Sequence, residues 1–289
     1  MFSSRLLLNL GLFLGIIVLA LVAYSISQEP EKSSAFSQLS ISEITEIKIQ
    51  HQSKTITLEK DNKNWVITQP IKIEADEFRI QSILNILSSG TDKFYAVDRT
   101  DLKKYSLDPP AATLQLNNQV FLFGTTSAIE QKRYILTNNK LFLIDDTFLP
   151  LITSGYKNLM RRQLLPTDTK VSEVRINNHR IYKNENGSWI SDQGNTSADD
   201  LKRYIDNWRH IQAYAVSSAS PPYSDNQVEI ETSNGSFTFL LQKTEHNTQV
   251  TNPAIGLSYQ FDISAFDSLS DFSRFSQNET LDEIQPLSE

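Results

Sequence analysis

This 289-residue chain has no cysteine, so disulfides, thiolate catalysis and cysteine-ligated metal centres are all excluded. Lipid attachment at an N-terminal cysteine is excluded on the same ground. Glycine is scarce: the nine present form no G-x-G-x-x-G, P-loop or G-x-S-x-G pattern. A glycine-lined phosphate cradle is therefore not encoded. His51, His179, His210 and His246 stand apart, with no i, i+4 partner and no H-E-x-x-H. Positive charge is also in deficit, with 27 Lys and Arg against 34 Asp and Glu, a net charge of −7. Such a surface repels phosphate backbones and anionic headgroups, which argues against nucleic acid as a partner.

What the chain does have is one long apolar run, residues 6–26. As a helix it measures roughly 31 Å, the thickness of a bilayer's hydrocarbon core. It exceeds a signal-peptide apolar region and lacks a good small-x-small cleavage site, so retention as an anchor is expected. Arg5 precedes the run, while Glu29 and Glu31 follow it. This places the N-terminus in the cytoplasm and the bulk of the chain outside it. The rest is rich in large apolar groups, in keeping with 15 Phe, 10 Tyr and 3 Trp in the whole chain, and predicts a folded exterior.

Landmarks recur in the same order in two halves of that exterior. Glu46-Ile47-Lys48-Ile49, Trp65, Tyr95-Ala96-Val97 and Pro109-Pro110 are matched by Glu173-Val174-Arg175-Ile176, Trp189, Tyr214-Ala215-Val216 and Pro221-Pro222. Ordered repetition of this kind predicts an internal duplication. Ile80, Ile83, Leu84 and Leu87 fall on one face of a helix, with Asp76 as N-cap and Gly90 as the C-terminal stop. Leu201, Tyr204, Ile205 and Trp208 repeat the spacing, with Ser197 as N-cap and Asp200 completing a capping box. Around each helix, alternating apolar residues turn at Asn117-Asn118, Asn138-Asn139, Asn177-Asn178 and Asn234-Gly235, which predicts antiparallel hairpins. The expected fold class is α+β: a transmembrane helix followed by two related antiparallel-sheet-plus-helix subdomains. The expected organisation is a short cytoplasmic end (1–5), the transmembrane anchor (6–26), a polar linker (27–42), a first unit (43–166), a second unit (167–272) and an acidic tail (273–289).

W-V-I-T-Q-P (65–70), A-D (75–76), D-L-K-K-Y-S-L-D-P-P (101–110), F-G (123–124), R-Y-I-L (133–136) and L-M-R-R-Q-L-L (159–165) follow in an order that resembles the bacterial family known as domain of unknown function 4340. The family's usual glycine before leucine in the 101–110 loop is Ser106 here. The resemblance implies an N-terminally anchored envelope protein, often encoded beside gliding-type ABC transport components. It implies no assigned catalytic residues.

One enzymatic pattern invites weighing. Ser154-Gly155-Tyr156-Lys157, Ser224-Asp225-Asn226 and Lys243-Thr244-Glu245 imitate the three boxes of penicillin-recognising enzymes. Glu245 stands where the third box needs glycine, and Lys243 follows Asn226 too closely for that fold, so the match reads as coincidence. Asp145-Asp146 and Asp199-Asp200 read as solvated acids or helix-dipole partners. Trp65, Trp189, Trp208, Tyr95 and Tyr214 could stack on a glycan, but their recurrence at equivalent landmarks predicts core packing. No catalytic, cofactor-binding or metal-ligating residue is therefore assigned. The expectation is a non-enzymatic, extracytoplasmic accessory protein, held in the bilayer by residues 6–26. Its expected partner is a membrane complex, with ABC transporter subunits in view. Envelope ligand binding, for example of a glycan, is the second reading and an envelope hydrolase the third.

Overall fold

The computed structural model describes residues 13–19, 36–90, 93–96, 99–193, 196–221 and 226–276. It is a protein of mostly antiparallel sheet with a few helices, hence α+β. Residues 13–19 form α1, and the side chains of Phe13, Leu14 and Leu19 are exposed on it. Among the described residues no helix is long and apolar enough to cross a membrane. The rest of the expected 6–26 span lies outside the described residues, as does the tail beyond residue 276.

Nine strands form the first sheet: β1 (Glu46–His51), β2 (Lys54–Asp61), β3 (Asn64–Gln69), β4 (Ile73–Glu74), β5 (Tyr95–Ala96), β6 (Ala112–Leu116), β7 (Gln119–Thr126), β8 (Lys132–Thr137) and β9 (Lys140–Asp145). Their spatial order is β4-β3-β2-β1-β6-β7-β8-β9-β5. The second sheet holds β10 (Val171–Ile176), β11 (His179–Lys183), β12 (Trp189–Ser191), β13 (Ala215–Ser218), β14 (Gln227–Thr232), β15 (Gly235–Lys243), β16 (Thr248–Asn252) and β17 (Leu257–Phe261). Their order is β12-β11-β10-β14-β15-β16-β17-β13, with every named pairing antiparallel. Strand for strand, this repeats the first sheet, which has β4 in addition.

The strands arise from two-residue alternation. In β6, Ala112, Leu114 and Leu116 are buried while Thr113 and Gln115 between them are only partly so. Asparagine closes the hairpins in the left-handed region: Asn117 at φ 49°, Asn138 and Asn139 at 49° and 58°, and Asn177 at 52°. Asn117 does more than turn. Its side-chain carbonyl accepts from the backbone N–H of Thr45 and of Glu46, and its amide donates to the Glu43 carbonyl. The entry to β1 is thereby fixed to the far end of β6.

Helices cover one face of each sheet. α2 (Glu77–Leu84) and α3 (Phe148–Thr153) pack on the first, while α5 (Ala198–His210) and α6 (Ala265–Ser270) pack on the second. Asp76 caps α2 by accepting from the Arg79 N–H, and Ile80, Ile83 and Leu84 are buried. Ser197 caps α5 by accepting from the Asp200 N–H, and its hydroxyl donates to the Asp200 carboxylate. Gly90 corrects the sequence reading of its role. It is needed because a Cβ there would stand 2.4 Å from the Cβ of Phe36. Phe36 is itself fully buried, with its ring 5.0 Å from Phe142 and 5.4 Å from Phe121. The stretch expected to be polar linker therefore joins the core from residue 36 onwards.

Between the two sheets runs the chain that follows α3. After α4 (Tyr156–Leu159), Met160 bridges Ala75 beside β4, and Gln163 bridges Gln212 just before β13. The Arg161 N–H donates to the Glu74 carbonyl, and the Ala213 N–H donates to the Arg162 carbonyl. One short segment thus covers the outer edge of each sheet, satisfying backbone groups that an open edge would leave unpaired. Glu74 reinforces the seam by accepting from Arg161 Nη1 at 3.1 Å and from the Thr167 hydroxyl at 2.8 Å.

Candidate functional site

A concavity of about 680 Å³, open to solvent, lies at this seam. Its floor is the inner face of the β1–β2 hairpin. Ile49 pairs with Ile56 and His51 with Lys54, so one side is apolar and the hairpin tip is basic. The opposite wall is the end of α3 and the turn into α4, from Ile152 to Asn158, and Val216 of β13 brings in the second sheet. Gly155 makes that turn at φ 82°, and a Cβ there would meet nothing within 4 Å. Glycine is required at this point for its backbone conformation, with no steric demand.

The charges in the groove share one sign. His51, Lys54 and Lys157 line it, and no Asp or Glu does. His51 Nδ1 lies 2.8 Å from the Ala111 carbonyl. Because a carbonyl can only accept, Nδ1 carries the proton, and Nε2 is the acceptor of the neutral ring. Lys157 Nζ donates to Ser218 Oγ at 2.6 Å, crossing from one unit to the other. Lys54 has no ion-pair or hydrogen-bond partner for its ammonium among the described residues. Burial pushes the Tyr156 phenol above its ordinary value, so it remains a neutral donor.

The penicillin-type boxes do not come together. Ser154 lines the groove, but its hydroxyl donates to the Leu151 carbonyl at 2.7 Å, as a helix-end serine does. Lys243 lies 3.3 Å from Asp267, away from the groove residues, and Ser224 and Asp225 lie outside the described residues. The histidines are dispersed: His179 contacts Gln193, while His210 Nδ1 faces the Asp206 carbonyl within its own helix. Among the described residues no three His, Cys, Asp or Glu side chains cluster as metal ligands would.

One acid of each pair, Asp146 and Asp200, has structural partners. Asp146 takes Arg133 in two-pronged fashion, Nε–Oδ1 at 2.5 Å and Nη2–Oδ2 at 2.7 Å, and accepts from Thr126. Asp200 is buried against Ser197 and Arg203. The aromatic expectation splits. Trp65 and Trp208 are core residues and Trp189 is partly buried, but Tyr95 and Tyr214 are about half exposed. Each of the two tyrosines stands at or just before an edge strand, so its ring lies off the packed face. The groove itself carries no sequence signal, because its members come from separate segments, 49–56, 152–158 and residue 216, with nothing in any one of them to mark the others.

The fold and site define an α+β protein of two like-ordered antiparallel sheets, joined edge to edge, with a basic-rimmed apolar groove at the join. The model of the family described as domain of unknown function (DUF4340) matches residues 65–242, and the chain belongs to that family. No curated protein and no solved structure matches it.

The family's motifs acquire physical roles. Gly124 of the F-G pair admits the Tyr105 carbonyl, which a Cβ would approach to 2.3 Å. Arg133 of R-Y-I-L donates to the Gly124 carbonyl, and the Tyr134 ring lies 4.8 Å from that of Tyr105. Three of the ordered segments thus meet at one point. A fourth, 159–165, is the seam.

Proposed function

We propose that this chain is a membrane-anchored, extracytoplasmic recognition subunit that works beside a membrane complex of the ABC-transport kind. The observation that carries the reading is the seam groove, whose walls come from both units and hold an apolar floor next to convergent polar groups. An anchor formed by residues 6–26 agrees with the exposed apolar face of α1, which needs a cover that water does not supply. Because residue 36 is already in the core, the tether between anchor and fold is residues 27–35. Fully extended it reaches roughly 30 Å, which keeps the groove near the bilayer and raises its local concentration around membrane partners. The like order of the two sheets supports an origin by internal duplication, with units at 43–166 and 167–272.

Affinity purification of the full-length chain from detergent-solubilised membranes tests this. Transport subunits should co-purify, and alkaline phosphatase fused after Glu289 should be active. Recovery of the chain alone, or an inactive fusion, would sink the proposal.

A further inference from the structure

We infer that the seam groove takes an extended peptide segment with acidic side chains, which adds a strand to the open edge of β13. This rests on the groove being the recognition surface proposed above, and it names the kind of partner that surface fits.

Backbone direction carries the inference. β13 pairs only with β17, so its other side ends the second sheet. The seam covers that side as far as Tyr214, where the Ala213 N–H donates to the Arg162 carbonyl and Arg162 Nη1 donates to the Tyr214 carbonyl. Across the trans peptide bond the Ala215 N–H points opposite to the Tyr214 carbonyl, and so towards β17. At the far end the Ala219 N–H donates to the Gly256 carbonyl, in step with Ala215. Alternate residues of an antiparallel strand turn their backbone groups to alternate sides, so those of Val216 and Ser218 face away from β17. No other strand or backbone group among the described residues pairs with them. Val216, half-buried, lines the groove, and Ser218 is exposed. An unpaired edge along an open groove is what an extended peptide pairs with. The seam sets the precedent, since Gln163 bridges Gln212 just upstream on the same side. The four residues of β13 span about 13 Å, so the added segment is short.

Charge selects the side chains. The chain as a whole is acidic, at −7, yet His51, Lys54 and Lys157 line the groove with no Asp or Glu. Lys54 is exposed, and Lys157 is bonded to the neutral Ser218 hydroxyl, so both keep an uncompensated positive charge. An unmodified peptide answers such charge with the carboxylates of Asp and Glu. Exposed pairs of this kind contribute little each, so they set preference while the backbone bonds supply the hold.

The test uses the full-length chain in lipid nanodiscs, with empty discs as reference, and fluorescence anisotropy of labelled peptides. The first probe is Thr-Val-Glu-Val-Glu-Val-Thr, blocked at both ends, and two others carry Gln or Lys in place of Glu. A fourth is the Glu peptide N-methylated at every internal residue, which strips the donors from both of its edges. The Glu peptide should bind about threefold more tightly than the Gln peptide, with the Lys peptide weakest. It should bind about tenfold more tightly than its N-methylated copy. Val216→Pro removes an N–H that faces away from β17, so the ladder keeps its bonds and the variant should fold, as read by circular dichroism. It should bind the Glu peptide about tenfold more weakly. Lys54→Glu leaves Lys157 offset by one carboxylate and should erase the preference for Glu over Gln, while Lys63→Glu, on the β2–β3 turn, should change nothing. The inference is overturned if no peptide binds, if the N-methylated or the Lys peptide binds as tightly as the Glu peptide, or if folded Val216→Pro binds unchanged. Should Val216→Pro not fold, the N-methylated peptide decides alone. Peptide binding without recovery of transport subunits would sink the transport-complex reading and leave this inference standing.

Discussion

Ser106 holds φ at 53°, in the left-handed region where a Cβ is penalised, and its side chain is exposed. The strain is roughly 1–2 kcal/mol. Glycine relieves it but loses roughly 0.5–1 kcal/mol through the greater freedom of the unfolded chain. Ser106→Gly should therefore stabilise the protein by about 0.5–1 kcal/mol, read as a higher urea midpoint at unchanged slope. Asp146 gives a second residue-level expectation. Hydrogen bonding to Arg133, opposed by partial burial, holds its carboxyl below the ordinary value. The stability this contributes is complete above about pH 3.9 and drains away as the pH falls through the depressed value. Asp146→Asn should flatten that part of the stability–pH curve, and an identical acid limb in both proteins would contradict it. At this scale the sequence is an uneven guide. Asn138 and Asn139 announce their turn because a left-handed backbone is a local demand. Tyr95 and Tyr214 mislead, because their exposure depends on which strand ends up at a sheet edge.

Helix α2 and helix α5 are where local pattern and tertiary structure agree most closely. Their apolar stripes recur at 3.6-residue spacing, and the caps Asp76 and Ser197 act within three residues of themselves. Leu84 and Ile205 occupy matching buried positions, at 1% and 3% exposure. Leu84→Ala and Ile205→Ala should each cost about 2–4 kcal/mol, combining lost transfer energy with the cavity left behind. Ser82, exposed and bonded only to the Phe78 carbonyl one turn back, should change stability little when replaced by alanine. Comparable losses from Ser82→Ala and Leu84→Ala would show that the assigned face is wrong. The seam is the element that pattern does not reveal. Glu74 and Arg161 are 87 positions apart, and nothing in either neighbourhood marks them as partners. Gly90 falls between these cases: its position after a helix is legible, but its purpose, room for Phe36, is not.

The whole molecule turns on whether the two sheets behave as one body. Their buried side chains form a single continuous cluster that runs through Leu159, Met160, Leu164 and Leu165 of the seam. Neither unit can separate without exposing those residues and the backbone groups that the seam satisfies on both edges. Unfolding should therefore be one cooperative transition, despite a length at which independent domains are common. Trp65 reports on the first unit and Trp189 with Trp208 on the second, so Trp→Phe variants that keep one set can follow each half separately. The two urea curves should coincide with each other and with circular dichroism. Glu74→Ala, which removes acceptors for Arg161 and for Thr167, should shift the common transition by about 1–2 kcal/mol without splitting it. Two resolved transitions, or a split in Glu74→Ala alone, would mean that the units fold separately. The outcome also bears on recognition: a groove with walls from both sheets keeps its shape only while the seam is closed, so a fold in which the seam opens independently would have no fixed groove to offer.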